Sequence, residues 1–104
     1  MLITTTENLV GKKIVETLGM VKGSTVRAKH IGKDIAAYFQ QFIGGEIKGY
    51  TDMINEARDE AVQRMIAEAK KMKADAVVNV RFATADAMPG AAEVLAYGTA
   101  VRIK

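Results

Sequence analysis

At 104 residues and a formal net charge of +3, the chain has room for one hydrophobic core and not two. It holds one histidine and neither cysteine nor tryptophan. Disulfides, thiolate metal sites and cysteine nucleophiles are thereby excluded, and the core must be built from Val, Ile, Leu, Met and Ala. The opening MLITTTENLVGKK lacks the basic region and apolar run of a signal peptide. No apolar stretch approaches the roughly 18 residues of a membrane span, so a soluble, cytoplasmic protein is expected.

Residues 2–6 (LITTT) are short and β-prone, and Asn8 and Gly11 read as a turn. Residues 13–21 (KIVETLGMV) alternate as a strand. Ile14, Glu16, Leu18 and Met20 fall on one face, with Val15, Thr17, Gly19 and Val21 on the other. Gly19 interrupts the run and marks a bulge or a close backbone approach. Lys22-Gly23-Ser24 reads as a turn, after which residues 25–28 resume as a second strand, giving a hairpin. Residues 33–43 (KDIAAYFQQFI) carry Ile35, Tyr38, Phe39, Phe42 and Ile43 at helical spacing, and Gly44-Gly45 ends that short helix.

The longest predicted helix covers 50–73. Thr51 is its expected N-cap, and Lys70, Lys71 and Lys73 suit the negative end of its dipole. On a wheel that advances about 100° per residue, Tyr50, Ile54, Ala57, Ala61, Val62, Met65, Ala69 and Met72 form one apolar arc. Arg58 falls near the centre of that arc and Glu68 near its edge. A buried guanidinium without a partner is very costly. Arg58 therefore predicts a carboxylate supplied by another segment, another subunit or a ligand.

Residues 76–84 (AVVNVRFAT) form a strand with apolar groups on both faces. Residues 85–92 are a loop with a Pro-Gly turn. Residues 93–103 close the chain as a strand, with Leu95, Tyr97, Thr99, Val101 and Ile103 on one face. Val94, Ala96, Gly98, Ala100 and Arg102 form a flatter face. The expected fold is therefore α+β: an antiparallel sheet of two hairpins, the long helix (about 50–73) packed on one face, and a shorter helix at 33–43. The second sheet face also carries apolar residues, which makes it a subunit interface.

The series Gly44-Gly45-Glu46, Tyr50-Thr51, Ala57-Arg58 with Ala61 and Met65, Ala74-Asp75-Ala76-Val77-Val78 with Arg81, and Tyr97-Gly98-Thr99-Ala100-Val101 resembles the YbjQ-like family. The likeness runs over nearly the whole chain in order and spacing. It implies a dodecin-like subunit that assembles into a homo-oligomeric ring, typically a pentamer, sometimes doubled to a decamer. The family is sometimes labelled heavy-metal-binding.

The candidate ligand-binding or interface residues are Arg58, Glu46, Tyr97, Arg81 and Glu93. Glu46, folded back by the glycine pair, and Glu93 are the expected partners of Arg58. The alternatives are a structural ion pair that fixes register, or an anion pocket shared with Arg81, since arginine suits bidentate carboxylate or phosphate recognition. The ring of Tyr97 is expected under the helix with its hydroxyl on a backbone group. His30 is the sole histidine and a weak metal candidate; ring symmetry would have to complete such a site. The glycine pair is no phosphate loop, because no GK[ST] follows.

No catalytic triad order or nucleophile elbow is present, and no catalytic residue or cofactor is assigned. Lysines are mixed with Asp and Glu, without the arginine stripe or stacking aromatics of nucleic-acid binders. The sequence thus points to a non-catalytic binding or scaffold ring with small-molecule or anion sites between subunits. The alternative is a metal-binding protein with sites repeated by symmetry.

Overall fold

The structure is a computed structural model that describes residues 1–28, 48–88 and 91–104. It comprises β1 (Leu2–Ile3), β2 (Ile14–Ala28), α1 (Lys48–Lys71), β3 (Ala76–Met88) and β4 (Ala91–Ile103). The strands form one four-stranded mixed sheet in the order β1-β3-β4-β2. β1 runs parallel to β3, and β4 is antiparallel to both β3 and β2. The expected helix 33–43, the pair Gly44-Gly45, Glu46, His30 and the Pro89-Gly90 turn lie outside the described residues.

The α+β class, the helix laid on a sheet and the C-terminal hairpin all match expectation, with both hairpin strands running longer than their sequence pattern indicated. The N-terminal hairpin does not form. Residues 14–28 make one 15-residue strand that follows β4 from Ile103 to Ala91. Lys22-Gly23-Ser24 lies in mid-strand, and Gly23 is there for a different reason. α1 crosses β2 at this point, and a Cβ on Gly23 would collide with the carbonyl oxygen of Ala61 and the amide nitrogen of Met65. Only hydrogen fits between the two backbones.

Gly19 does mark a bulge. The register with β4 shifts between Thr17 and Gly19, and Gly19 has φ 131°, a conformation open to glycine. The extra residue resets the alternation. Leu18 and Val21 consequently both pack towards the helix, whereas Met20 is exposed.

α1 rests mainly on β2 and β4. Its buried side chains are Met53, Ile54, Ala57, Ala61, Met65 and Ala69, which is essentially a ridge of every fourth residue. Ala57, Ala61, Met65 and Ala69 meet Val21, Val77, Val80, Val94, Ala96 and Ala100, while Met53 and Ile54 pack with Ala92. The flatter face of β4 is thus the one beneath the helix, where small side chains let the helix approach. α1 begins before Thr51, so that residue lies inside the first turn and does not cap it. At the other end, Ala74 N–H bonds to Ala69 O at 3.1 Å and Lys73 takes φ 60°. This is a left-handed C-terminal stop that usually uses glycine.

Candidate functional site

Arg58 is not buried. The helix lies obliquely on the sheet, so the contact line follows the ridge and drifts round the helix surface as it climbs. A wheel collapses that drift. At its own height Arg58 stands about 100° round from Ala57, is exposed, and donates from Nη1 to Asn55 Oδ1 at 3.3 Å. It forms no ion pair among the described residues, whether with Glu93 or another acid.

The ionic contacts of α1 with the sheet are made elsewhere. Glu60 accepts from Arg27 on β2 and from Thr25 Oγ1 at 3.5 Å, and Arg64 reaches its other oxygen at 2.5 Å. Arg27 also approaches Glu56 at 3.6 Å. The hydrogen bond from Arg27 holds the Glu60 carboxyl below its ordinary value of 4.5; the charges of Arg27 and Arg64 add to this, and desolvation opposes it. Arg64 further donates from Nη1 to the backbone oxygen of Ser24 at 2.5 Å, occupying one outward carbonyl of the edge strand. Sequence reasoning missed this latch, because nothing in 24–27 announces that it faces 56–64.

Tyr97 lies on the sheet face away from the helix, not under it. Register places Lys22 of β2 and Arg81 of β3 directly opposite it on either side, and opposed residues in antiparallel strands share a face. The adjoining rows are Met20–Thr99–Val78 and Ser24–Leu95–Ala83. Arg81 is exposed and tied down, its Nη1 donating at 2.8 Å to both Thr5 O and Val80 O. The expected residues Arg81 and Tyr97 are therefore brought together. Glu93 lies on the same face but pairs with Val26 and Ala85, beyond the Leu95 row. Lys22, hidden in the expected turn, was missed.

Two recesses border β2, an edge strand among the described residues. One of about 570 Å³ is lined by Lys22, Ser24, Arg64, Glu68, Glu93 and Leu95 among others. The second, of about 380 Å³, is lined by Met20, Val21, Lys22, Glu68 and Met72. Among the described residues no group of three His, Cys, Asp or Glu side chains converges. The thioethers of Met20 and Met72 with Glu68 are the nearest thing to a soft-metal set, and Lys22 in the same wall opposes a cation. Within one subunit the described residues do not make a metal centre. No helix among them is long and apolar enough to cross a membrane.

Comparison with known proteins agrees with the early resemblance. Residues 1–104 match the model of a family described as "Putative heavy-metal-binding". A UPF0145 protein of Thermosipho africanus is 64% identical over 104 residues, covering 100% of this chain and 96% of that protein. One from Archaeoglobus fulgidus is 60% identical over 103 residues, covering 99% and 95%. A crystal structure of a protein of unknown function of the DUF74 family from Pediococcus pentosaceus superposes with a TM-score of 0.71 at 22% identity, covering 100% of this chain and 98% of that one; it shares the fold. With its whole length matched by the family model and its relatives matched nearly end to end, the chain belongs to the YbjQ-like, UPF0145 family.

Proposed function

We propose that the protein is a non-catalytic, homo-oligomeric binding ring, a pentamer or decamer of this subunit in the cytoplasm, with ligand sites in clefts between subunits. The observation that carries this reading is the sheet face that no helix among the described residues covers. Met20 is 68% exposed and Val26 59% exposed there, with Leu95 and Tyr97 half-buried between them. Isolated apolar side chains on a surface are ordinary, but a run of them on one sheet face marks an interface. Contacts through Met20 and Val26, on either side of the Lys22–Tyr97–Arg81 row, leave that row lining a cleft. Arg64 on the carbonyl of Ser24 blocks strand addition at that point of the edge, which favours a closed assembly over an open-ended one.

Native mass spectrometry of protein purified without tag, chelator or added metal tests the reading. A closed oligomer of defined subunit number is expected, and a folded monomer would overturn it. A stoichiometric metal mass that disappears in Met72→Leu would favour the metal-binding alternative instead.

A further inference from the structure

We propose that Lys22, Tyr97 and Arg81 bind an elongated organic dianion, a compound with an acid group at each end and an apolar body between. The proposal rests on the reading of the helix-free face as a ligand-lined cleft and gives that cleft its ligand class.

Three strands place these residues side by side. Lys22 and Arg81 both oppose Tyr97, so their strands stand two inter-strand spacings apart, about 10 Å. Neither cation takes part in an ion pair among the described residues. The row and both adjoining rows, Met20–Thr99–Val78 and Ser24–Leu95–Ala83, hold no acidic side chain. Among the described residues, these three rows thus hold two positive charges apart without neutralising them. Two acids, Glu68 and Glu93, border the recess beside Lys22, and Glu68 is engaged by Lys71 at 3.4 Å.

The ground between the charges is apolar with one polar handle. The Tyr97 ring lies at the centre, flanked by Leu95 and Met20 on neighbouring rows. None of the side-chain hydrogen bonds among the described residues engages the Tyr97 hydroxyl. Arg81 is preorganised: Nη1 is spent on Thr5 O and Val80 O, which fixes the guanidinium and leaves its other nitrogens for a carboxylate or phosphate. Lys22 supplies a point charge at the opposite end. A single small oxyanion would engage one end only. A dianion whose acids are separated by at least that spacing of about 10 Å, since Arg81 is anchored on Thr5 at the β1 side of β3, reaches both cations at once and covers the tyrosine between them.

Calorimetric titration with the dicarboxylate series succinate, suberate and sebacate tests this, at constant ionic strength and with native mass spectra of the same samples. Binding of one molecule per subunit is expected for the longer acids, with succinate about tenfold weaker, the equivalent of losing one ionic contact of about 1.4 kcal/mol. Lys22→Met should weaken suberate about tenfold with unchanged circular dichroism, since Lys22 is exposed and makes no ion pair among the described residues. Arg81→Met should do the same. If that variant loosens the N-terminal segment, the Lys22 variant still decides. No binding by any member, equal binding of all three, or a Lys22→Met protein that binds suberate like wild type would each overturn the site. The mass spectra separate this from the assembly question. A ring that ignores suberate sinks the site alone, and a monomer that binds it sinks the ring alone.

Discussion

Lys73 carries a conformation that its side chain disfavours. Its φ of 60° ends α1, and a left-handed residue other than glycine is strained by roughly 1–2 kcal/mol. Lys73→Gly should therefore stabilise the protein by about 0.5–1 kcal/mol, glycine's greater unfolded-state entropy offsetting part of the gain; denaturant unfolding at fixed protein concentration will measure it. Glu60 supplies a pH-dependent term. Its carboxyl is held below the ordinary 4.5, chiefly by the hydrogen bond from Arg27. A depressed folded-state pKa gives stability that is fully present above the unfolded value and is lost as pH falls through the folded one. Wild type should therefore exceed Glu60→Gln in stability at neutral pH, and the two should converge as pH drops below the ordinary carboxylate range. A gap that persists at low pH would place the effect in packing. Arg58 could be identified as unusual from sequence, but its surroundings could not, because a helical wheel discards height along the axis.

Among the elements, the crossing of α1 over β2 is the tightest point. Ala57, Ala61 and Ala69 line the helix ridge, and Gly23 gives up its side chain to the backbone of that ridge. Neither partner can yield by rotating a side chain, so Gly23→Ala should destabilise by about 3 kcal/mol, the upper range for overpacked sites. Gly98 is a second such place: a Cβ there would meet Val77 Cγ1 at 2.7 Å and Val78 O at 2.9 Å. A thermal melt of Gly23→Ala within a degree or two of wild type would show that the crossing is looser than described. The alternation of β4 revealed its two faces, and the run of alanines revealed one face of α1. Which face of β4 met the helix was not legible. Bulk suggests burying Leu95 and Tyr97, yet close helix packing selects Ala96, Gly98 and Ala100.

For the whole molecule, the sheet face that no described helix covers is the property that reaches furthest. One helix covers the β2–β4 half of one face, and on that same face Phe82 of β3 remains 48% exposed. On the opposite face a satellite cluster of Leu9, Ile14, Ala76, Val78, Val101 and Ile103 closes one end, and no other described element covers the Met20-to-Val26 span. A charge placed there should break an assembly without unfolding its subunits. Val26→Glu is expected to keep the far-ultraviolet circular dichroism of wild type and to sediment as a smaller species. An unchanged sedimentation coefficient would move the subunit contact elsewhere.

Local pattern determined much of the elements themselves: period-two alternation marked β3, β4 and the first half of β2, and helical spacing marked α1. Absences in composition did as much, since a chain without cysteine cannot build thiolate chemistry. The family, too, was readable from short blocks kept in order. What only the tertiary structure decided was which residues meet. Gly23 serves equally well as a turn and as a helix crossing, and the presence of α1 above it settles the matter. The bulge at Gly19 moves every later side chain of β2 to the opposite face, a consequence that depends on the partner strand. The Lys22–Tyr97–Arg81 row is assembled across three strands, from residues with no spacing rule between them. Contacts of that kind depend on register and crossing angle, and no local sequence period encodes either.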